Sequence, residues 1–515
     1  MINQIEAKRK QMQCYSYIAG LVILIVLGGI AGENGIAYMA AMLVSLAFFM
    51  ILTAGGTADA VGRLLRSKRS KGQFRDARKL RKCSVMVQLV SGAAGTVLFL
   101  LLSGVLAEKV FRMPYAVIPM RILAPVVLIG ALQATLLGYF QGSGFQMPSV
   151  TVSWLRQILY ISFGLLFGRV LHGYGGKVSA FLKNVDFTGM YVVIGIAVGI
   201  LVSELLLLLF LTVVYLGSNR KTDSEKSREG LQKTEGFVSS VRLIFLLRSF
   251  PCAVLLLCLL AVGLGMVVYQ RNAEGAADSA YAYGRYVMGY LAVCGIPCFL
   301  MLGRLIPVYG RMTFMSRKKE HRNIRELGQA AIHYSWIVSL YAALLLEVMA
   351  PELAGFLFSE SAQEVSAMLR SGGVLVLFVG MASSVLIYQL GSDQRYVVLC
   401  ELLGGNVVFF ISLFLMSGGD AAGIMTLIYA GLIGTGCVFL AGVVMLLLGG
   451  HLAVDYLRVL VVPLIAAGAA GLCMLFLGRL LSPHMGNLVS FVICAVVGIV
   501  LDMLILALSR NVSGQ

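Results

Sequence analysis

Charged side chains inside apolar runs are the first places to look for chemistry in this sequence. An ionisable group in hydrocarbon costs several kcal/mol unless it is paired or hydrated. Arg156 lies nine residues into the run 147–170, and Glu204 about twelve residues from the far end of 187–216. At 1.5 Å per residue they sit ~14 Å and ~18 Å from the same side. A long arginine side chain spans that difference, so Arg156 and Glu204 are expected to form an ion pair, either structural or gating. Arg285 lies four residues into the run 281–303, beside Tyr281, Tyr283 and Tyr286. A guanidinium fork binds phosphate through two parallel hydrogen bonds, and tyrosines offer hydroxyls and ring faces to a sugar. The plain alternative for Arg285 is snorkelling to the nearby surface. Arg248 stands just before Pro251 and is expected to face a cleft. Arg121 and Arg370 sit at the ends of two further runs, where either anion contact or snorkelling suits them. Glu347, Glu401 and Asp502 are the other acids in or near apolar runs, and Glu401 and Asp502 fall toward one side. They are the candidates for a coupling-ion site.

Other chemistries lack their residues. The sequence has no GxxxxGK[ST] loop, so it supplies no ATP-binding cradle of its own. It contains no HExxH, GxSxG or DxD-type loop, and its five histidines are scattered. The ten cysteines lie mostly inside apolar runs without a CxxC pair, which argues for packing rather than metal or redox work. No cofactor is expected, and an enzyme with an acid, base or metal-ligand loop is disfavoured.

The elements that must position these residues follow from composition. The chain has 515 residues, 59% of them apolar and only 13% charged, with a mean hydropathy of +0.90. A soluble protein carries about a quarter charged residues. A water-soluble globule and a disordered chain are therefore both excluded. The apolar runs are continuous rather than alternating, which excludes a transmembrane β-barrel. The predicted fold is all-α, with about fourteen membrane spans at 14–31, 36–56, 83–107, 119–141, 147–170, 187–216, 243–270, 281–303, 328–350, 366–390, 394–416, 421–448, 457–481 and 487–509.

The net charge of +17 would suggest nucleic acid in a soluble protein. Here the bases sort by membrane side instead. With the N-terminus inside, 29 of the 41 Lys and Arg residues fall in inner segments, ten of them between Arg63 and Lys82. The outer loop 351–365 carries Glu352, Glu360 and Glu364. This asymmetry predicts that both termini are cytoplasmic, with an even number of spans and inner loops that meet anionic lipid heads.

An internal repeat is visible. Gly62-Arg63-Leu64 and Gly303-Arg304-Leu305 each follow a span. Met120-Arg121 and Tyr139–Ser143 (YFQGS) match Leu369-Arg370 and Tyr388–Ser392 (YQLGS) at an offset of 249. Each half then holds six spans, and an even number makes the halves parallel repeats. The expected organisation is an N-lobe at 1–216, a polar linker at 217–242, a C-lobe at 243–449, and two further spans at 450–515. Pro125, Pro148, Pro251, Pro297, Pro307 and Pro463 lie in or beside spans, where they permit bending.

These residues carry a family resemblance. Gly32-Glu33-Asn34-Gly35 looks like a G-x-x-G turn of the multidrug/oligosaccharidyl-lipid/polysaccharide (MOP) flippase superfamily. Arg121–Pro148 (RILAPVVLIGALQATLLGYFQGSGFQMP) is similar to the corresponding stretch of its stage V sporulation protein B and polysaccharide-exporter branch, near the MurJ-type lipid II flippases. The segments around Pro251 and Pro297–Pro307, and Gly419–Ile424 (GDAAGI), resemble the same branch. The resemblance implies a fourteen-helix, MATE- and MurJ-like flippase in a bacterial plasma membrane. It also implies an undecaprenyl-pyrophosphate-linked saccharide or peptidoglycan precursor as substrate, and cleft arginines facing its pyrophosphate, with Arg285 in roughly that place.

The expected function is movement of a lipid-linked anionic saccharide from the inner to the outer leaflet by alternating access. Cell-envelope biosynthesis enzymes are further partners in that setting. The alternatives are a multidrug or cation antiporter of the same superfamily, which needs acidic rather than basic cleft residues, and a non-transporting cell-wall scaffold.

Overall fold

A backbone crossing hydrocarbon must satisfy its own hydrogen bonds, so long apolar runs become helices. The structure, a computed structural model, describes residues 2–184, 186–222, 237–272, 276–318, 320–358, 361–417, 423–448, 461–481 and 484–512. Its helices are α1 (Ile2–Ala54), α2 (Thr57–Ser70), α3 (Phe74–Val105), α4 (Val117–Gly142), α5 (Met147–Leu182), α6 (Asp186–Thr222), α7 (Phe237–Asn272) and α8 (Ala276–Gly284). They continue with α9 (Ala292–Arg317), α10 (His321–Val348), α11 (Ala350–Leu357), α12 (Ala362–Gly372), α13 (Val374–Gly391), α14 (Arg395–Met416), α15 (Met425–Leu448), α16 (Val462–Leu481) and α17 (Asn487–Val512). Single π-helical stretches follow α3, at Leu106–Val110, and α8, at Arg285–Leu291.

Thirteen helical stretches among the described residues are long and apolar enough to span a bilayer. The first, Ile5–Ser70, contains both of the first two expected spans. They are separated inside α1 by Gly32, whose φ of 70° and ψ of 178° are not helical. The chain is thus a multi-pass membrane protein with the helix order read from its sequence. The short breaks after Gly142 and Gly391 are turns, made by Gly144 and Asp393 at positive φ. The expected span 366–390 is instead two helices, α12 and α13, divided at Gly373.

Contacts divide the chain into two compact units. One comprises Met1–Arg9 and Ile30–Gly263, the other Lys10–Gly29 and Leu264–Gln515. Membership does not follow chain order: residues 10–29 of α1 group with the second unit, and α7 up to Gly263 groups with the first. The expected linker 217–242 and the start of the 450–515 segment lie largely outside the described residues.

The first unit has an apolar core of Val61, Leu65, Leu80, Tyr139, Phe140, Leu207, Leu211 and Ile244 from α2, α3, α4, α6 and α7. Its α5 and α6 approach closely. A Cβ on Gly199 would stand 2.8 Å from the Gly164 nitrogen, so this crossing depends on a small residue, as at many membrane helix contacts. The second unit packs Met312, Met381, Val385, Tyr388 and Leu446 together, and joins α10 to α16 and α17 through Met349, Met474 and Cys494. Tyr341 on α10 donates a hydrogen bond to the Ala495 carbonyl at 2.8 Å, which ties α17 to that bundle.

Candidate functional site

The close α5–α6 crossing sets the geometry of the first polar site. Arg156 on α5 donates from Nε to Glu204 Oε1 at 2.8 Å. Its Nη2 donates to Gln133 Oε1 on α4 at 2.7 Å. Gln133 Nε2 donates in turn to Glu204 Oε2 at 2.7 Å and to the Glu204 carbonyl at 3.0 Å. The Tyr160 hydroxyl, one helical turn from Arg156, completes the ring by donating to Glu204 Oε1. The structure thus brings the two sequence candidates together, and adds Gln133 and Tyr160 to them. Glu204 is only 2% exposed, a burial that a carboxylate tolerates because each oxygen accepts charge-assisted bonds.

The second polar site forms where α1 ends. Gly56 has a φ of 72°, so regular helical bonding stops here, although the Ile51 carbonyl still accepts from the Gly55 N–H at 2.9 Å. Residues of α7 bring further donors to this end. Arg248 donates from Nη2 to the Leu52 carbonyl, and Cys252 Sγ lies 3.4 Å from the Ile51 carbonyl. With its amide turned to suit its neighbours, Gln88 accepts from Arg248 Nη1 at 3.3 Å and donates to the Thr53 carbonyl at 3.0 Å. The Phe245 ring lies 5.3 Å from the guanidinium carbon. Arg248 is buried, and these partners are all neutral. The C-terminal end of a helix carries roughly half a negative charge, so these partners offset only part of the Arg248 charge.

The third site is in the second unit. Arg285 opens the π-helical turn Arg285–Leu291, about ten residues along from the start of α8 and six residues into the apolar stretch Ser279–Ser316. Such turns widen the helix and are frequent at functional sites. Arg285 Nη2 lies 2.7 Å from Glu364 Oε2, with the carboxylate side chain 55% exposed and the arginine largely covered. Tyr286 and Tyr290 stack at 5.6 Å, and the Tyr290 hydroxyl donates to the Gly372 carbonyl at 2.8 Å. These contacts fasten the π turn to α12. Tyr283 is fully buried, 6.3 Å from Tyr286 between ring centres.

The remaining candidates are dispersed. Arg121 is exposed on α4 and donates from Nε to Ser103 Oγ at 3.3 Å. Arg370 is exposed too, and with Gln363, Ser366 and Ser371 it lines an open cavity of about 800 Å³. Glu401 is buried and accepts from Gln389 Nε2 at 2.6 Å, while its Oε2 meets no partner among the described residues. Asp502 is buried on α17, and Glu347 is exposed. Glu401 and Asp502 lie on different helices and share no hydrogen-bond partner among the described residues. No group of three or more His, Cys, Asp or Glu among the described residues could hold a metal ion.

Comparison with known proteins agrees with this architecture. No family model matches the sequence. Over 163 residues the chain is 27% identical to the stage V sporulation protein B of Bacillus subtilis (strain 168), and this match spans 31% of each protein. The fold is far more extensively shared. An inward-facing multidrug resistance MATE family transporter of the MOP superfamily superposes with a TM-score of 0.62 and 15% identity, over 84% of this chain and 94% of that one. A lipid II flippase MurJ in an inward closed conformation gives a TM-score of 0.62 at 14% identity, over 98% of this chain and 99% of that one.

Proposed function

We propose that this chain, which has the fold shared by MATE transporters and the lipid II flippase MurJ, is a membrane transporter that moves a lipid-linked anionic saccharide between leaflets by alternating access. Its setting on this reading is a bacterial plasma membrane, with both termini cytoplasmic and with cell-envelope biosynthesis enzymes and anionic lipids as partners. The observation that carries the reading is Arg248. A buried guanidinium whose partners among the described residues are neutral acceptors and a helix end is an incomplete ion pair, and an anionic head group supplies the missing charge. Arg285 adds a second guanidinium in the other unit, held by a half-exposed carboxylate that an incoming phosphate can displace or share.

The direction of transport follows from charge. A membrane potential positive outside favours outward movement of an anion by about 2.3 kcal/mol per charge per 100 mV. A pyrophosphate-linked head group moving outward therefore needs no nucleotide hydrolysis.

Translocation of a polyprenyl-pyrophosphate saccharide in proteoliposomes tests the proposal. Arg248→Ala is expected to slow it at least ten-fold, and Arg248→Lys, which keeps the charge but not the fork, to slow it less. Unchanged translocation by Arg248→Ala would overturn the reading.

One observation favours the second reading, a cation antiporter. Glu401 is buried with one oxygen that meets no partner among the described residues, which suits a site that takes up a proton or cation. On that reading Glu401→Gln abolishes transport and Arg248→Ala does not.

A further inference from the structure

The cavity of about 800 Å³ in the second unit takes no part in the transport reading. Pro351 of α11 forms one side of it, and its other lining residues among the described ones belong to α12. That helix has two unlike faces. Val365, Met368 and Leu369 are fully buried, and Glu364 is engaged by Arg285. Gln363, Ser366 and Arg370 line the cavity instead. They stand at i, i+3 and i+7, which puts them on one side of the helix over a length of about 10 Å. Ala362 and Ala367 lie among them, and their short side chains leave the space between the polar groups open.

The polar groups of this face have no work within the protein. No hydrogen bond or ion pair among the described residues engages the side chain of Gln363, Ser366 or Arg370. Ser371, the remaining polar lining residue, differs: its hydroxyl donates to the Ala367 carbonyl at 2.5 Å, the usual outlet for a serine inside a helix. Ser366 is only 9% exposed, yet its hydroxyl does not take that outlet.

Together the three side chains describe a ligand. A guanidinium offers a fork of N–H donors that matches two oxygens of a carboxylate or a phosphate. An amide and a hydroxyl each both donate and accept, which suits neighbouring sugar hydroxyls that do the same. Pro351, Ala362 and Ala367 supply small apolar surfaces for the C–H face of a sugar ring. The volume falls in the range of roughly 300–1,000 Å³ usual for small-molecule sites.

We propose that Gln363, Ser366 and Arg370 form a binding site for a sugar that carries a carboxylate or phosphate group, separate from Arg248 and Arg285. The inference goes beyond the transport reading and does not rest on it, because binding is measured without translocation.

The test places the full chain in phosphatidylcholine nanodiscs, whose lipid carries no sugar, and titrates glucuronic acid, glucose 1-phosphate and glucose by saturation-transfer NMR. At least one of the two acidic sugars is expected to bind about ten-fold or more tightly than glucose, and the one that does so names the acidic group. Arg370→Gln is expected to remove that preference. Ala367→Trp, which fills the cavity, is expected to abolish binding of all three sugars. Both positions are exposed, so neither change disturbs the core. Arg322→Gln removes the same charge from a fully exposed position on α10 and is expected to change binding less than about two-fold. No binding by the unaltered protein, or equal affinity for glucose and the acidic sugars, would sink the site. Equal losses in Arg370→Gln and Arg322→Gln would mean diffuse attraction and would sink it too, as would binding that survives Ala367→Trp. If Arg370→Gln fails to fold, Arg370→Lys takes its place. It keeps the charge and loses the fork, so full binding by Arg370→Lys would also overturn the proposal.

Discussion

Arg156, Gln133, Tyr160 and Glu204 show how a membrane interior accommodates a charge. Arg156, Gln133 and Tyr160 all donate to the Glu204 carboxylate, so removing a partner is costlier than removing the group. Arg156→Leu leaves that carboxylate buried without its cation, at a cost of about 3–5 kcal/mol. Arg156→Leu combined with Glu204→Leu removes both charges and is expected to restore much of the loss. Thermal unfolding in detergent checks this: the single variant melts below the double variant. A double variant as unstable as the sum of its single changes would mean that the two residues act independently. Half of this group was legible in the sequence. Arg156 and Glu204 are conspicuous by charge, and helix rise places them at matching depth. Gln133 and Tyr160 are common residues on apolar helices, and nothing in their spacing marks them until α4 and α5 are packed against α6.

At the scale of elements, helix existence was legible and helix interruption was not. Apolar length alone predicts α3 to α7 and α13 to α17, because hydrocarbon leaves the backbone few alternatives. The π turn at Arg285–Leu291 has no composition of its own. Arg285, at its first residue and near the start of its span, pairs there with Glu364, a residue assigned to an acidic outer loop. The α12–α13 break falls at Gly372-Gly373, just past Arg370 and Ser371, inside a stretch that hydropathy runs together as one span. The joint between the π turn and α12 rests on close contact at one glycine: a Cβ on Gly372 would lie 2.6 Å from Tyr290 Cζ. Gly372→Ala is expected to destabilise the protein by about 1–3 kcal/mol through overpacking. Tyr290→Phe, which loses only the hydrogen bond to the Gly372 carbonyl, costs about 0.5–1.5 kcal/mol. Fluorescence-detected size-exclusion melting of the two variants gives the order, with Gly372→Ala the lower.

Across the whole molecule, chain order and contact order diverge. The repeat in the sequence marks two runs of six spans, yet residues 10–29 and α7 group by the surfaces that they bury. Ile244 of α7 sits in the core of the first unit, and Arg248 and Cys252 cap its α1. A chain split within 217–242 and co-expressed as two pieces is therefore expected to copurify, because the second piece brings the helix that completes the first unit. Pieces that part in mild detergent would contradict this grouping. The cap also has a chemical corollary. A guanidinium offers a limited set of N–H groups, and Arg248 already lends one to the Leu52 carbonyl. An anion arriving there competes with the backbone for the same hydrogens, so the final turn of α1 tightens or frays according to whether the arginine is occupied. On the proposed function, a bound anion is registered at a helix terminus, through the rivalry of two acceptors for one donor.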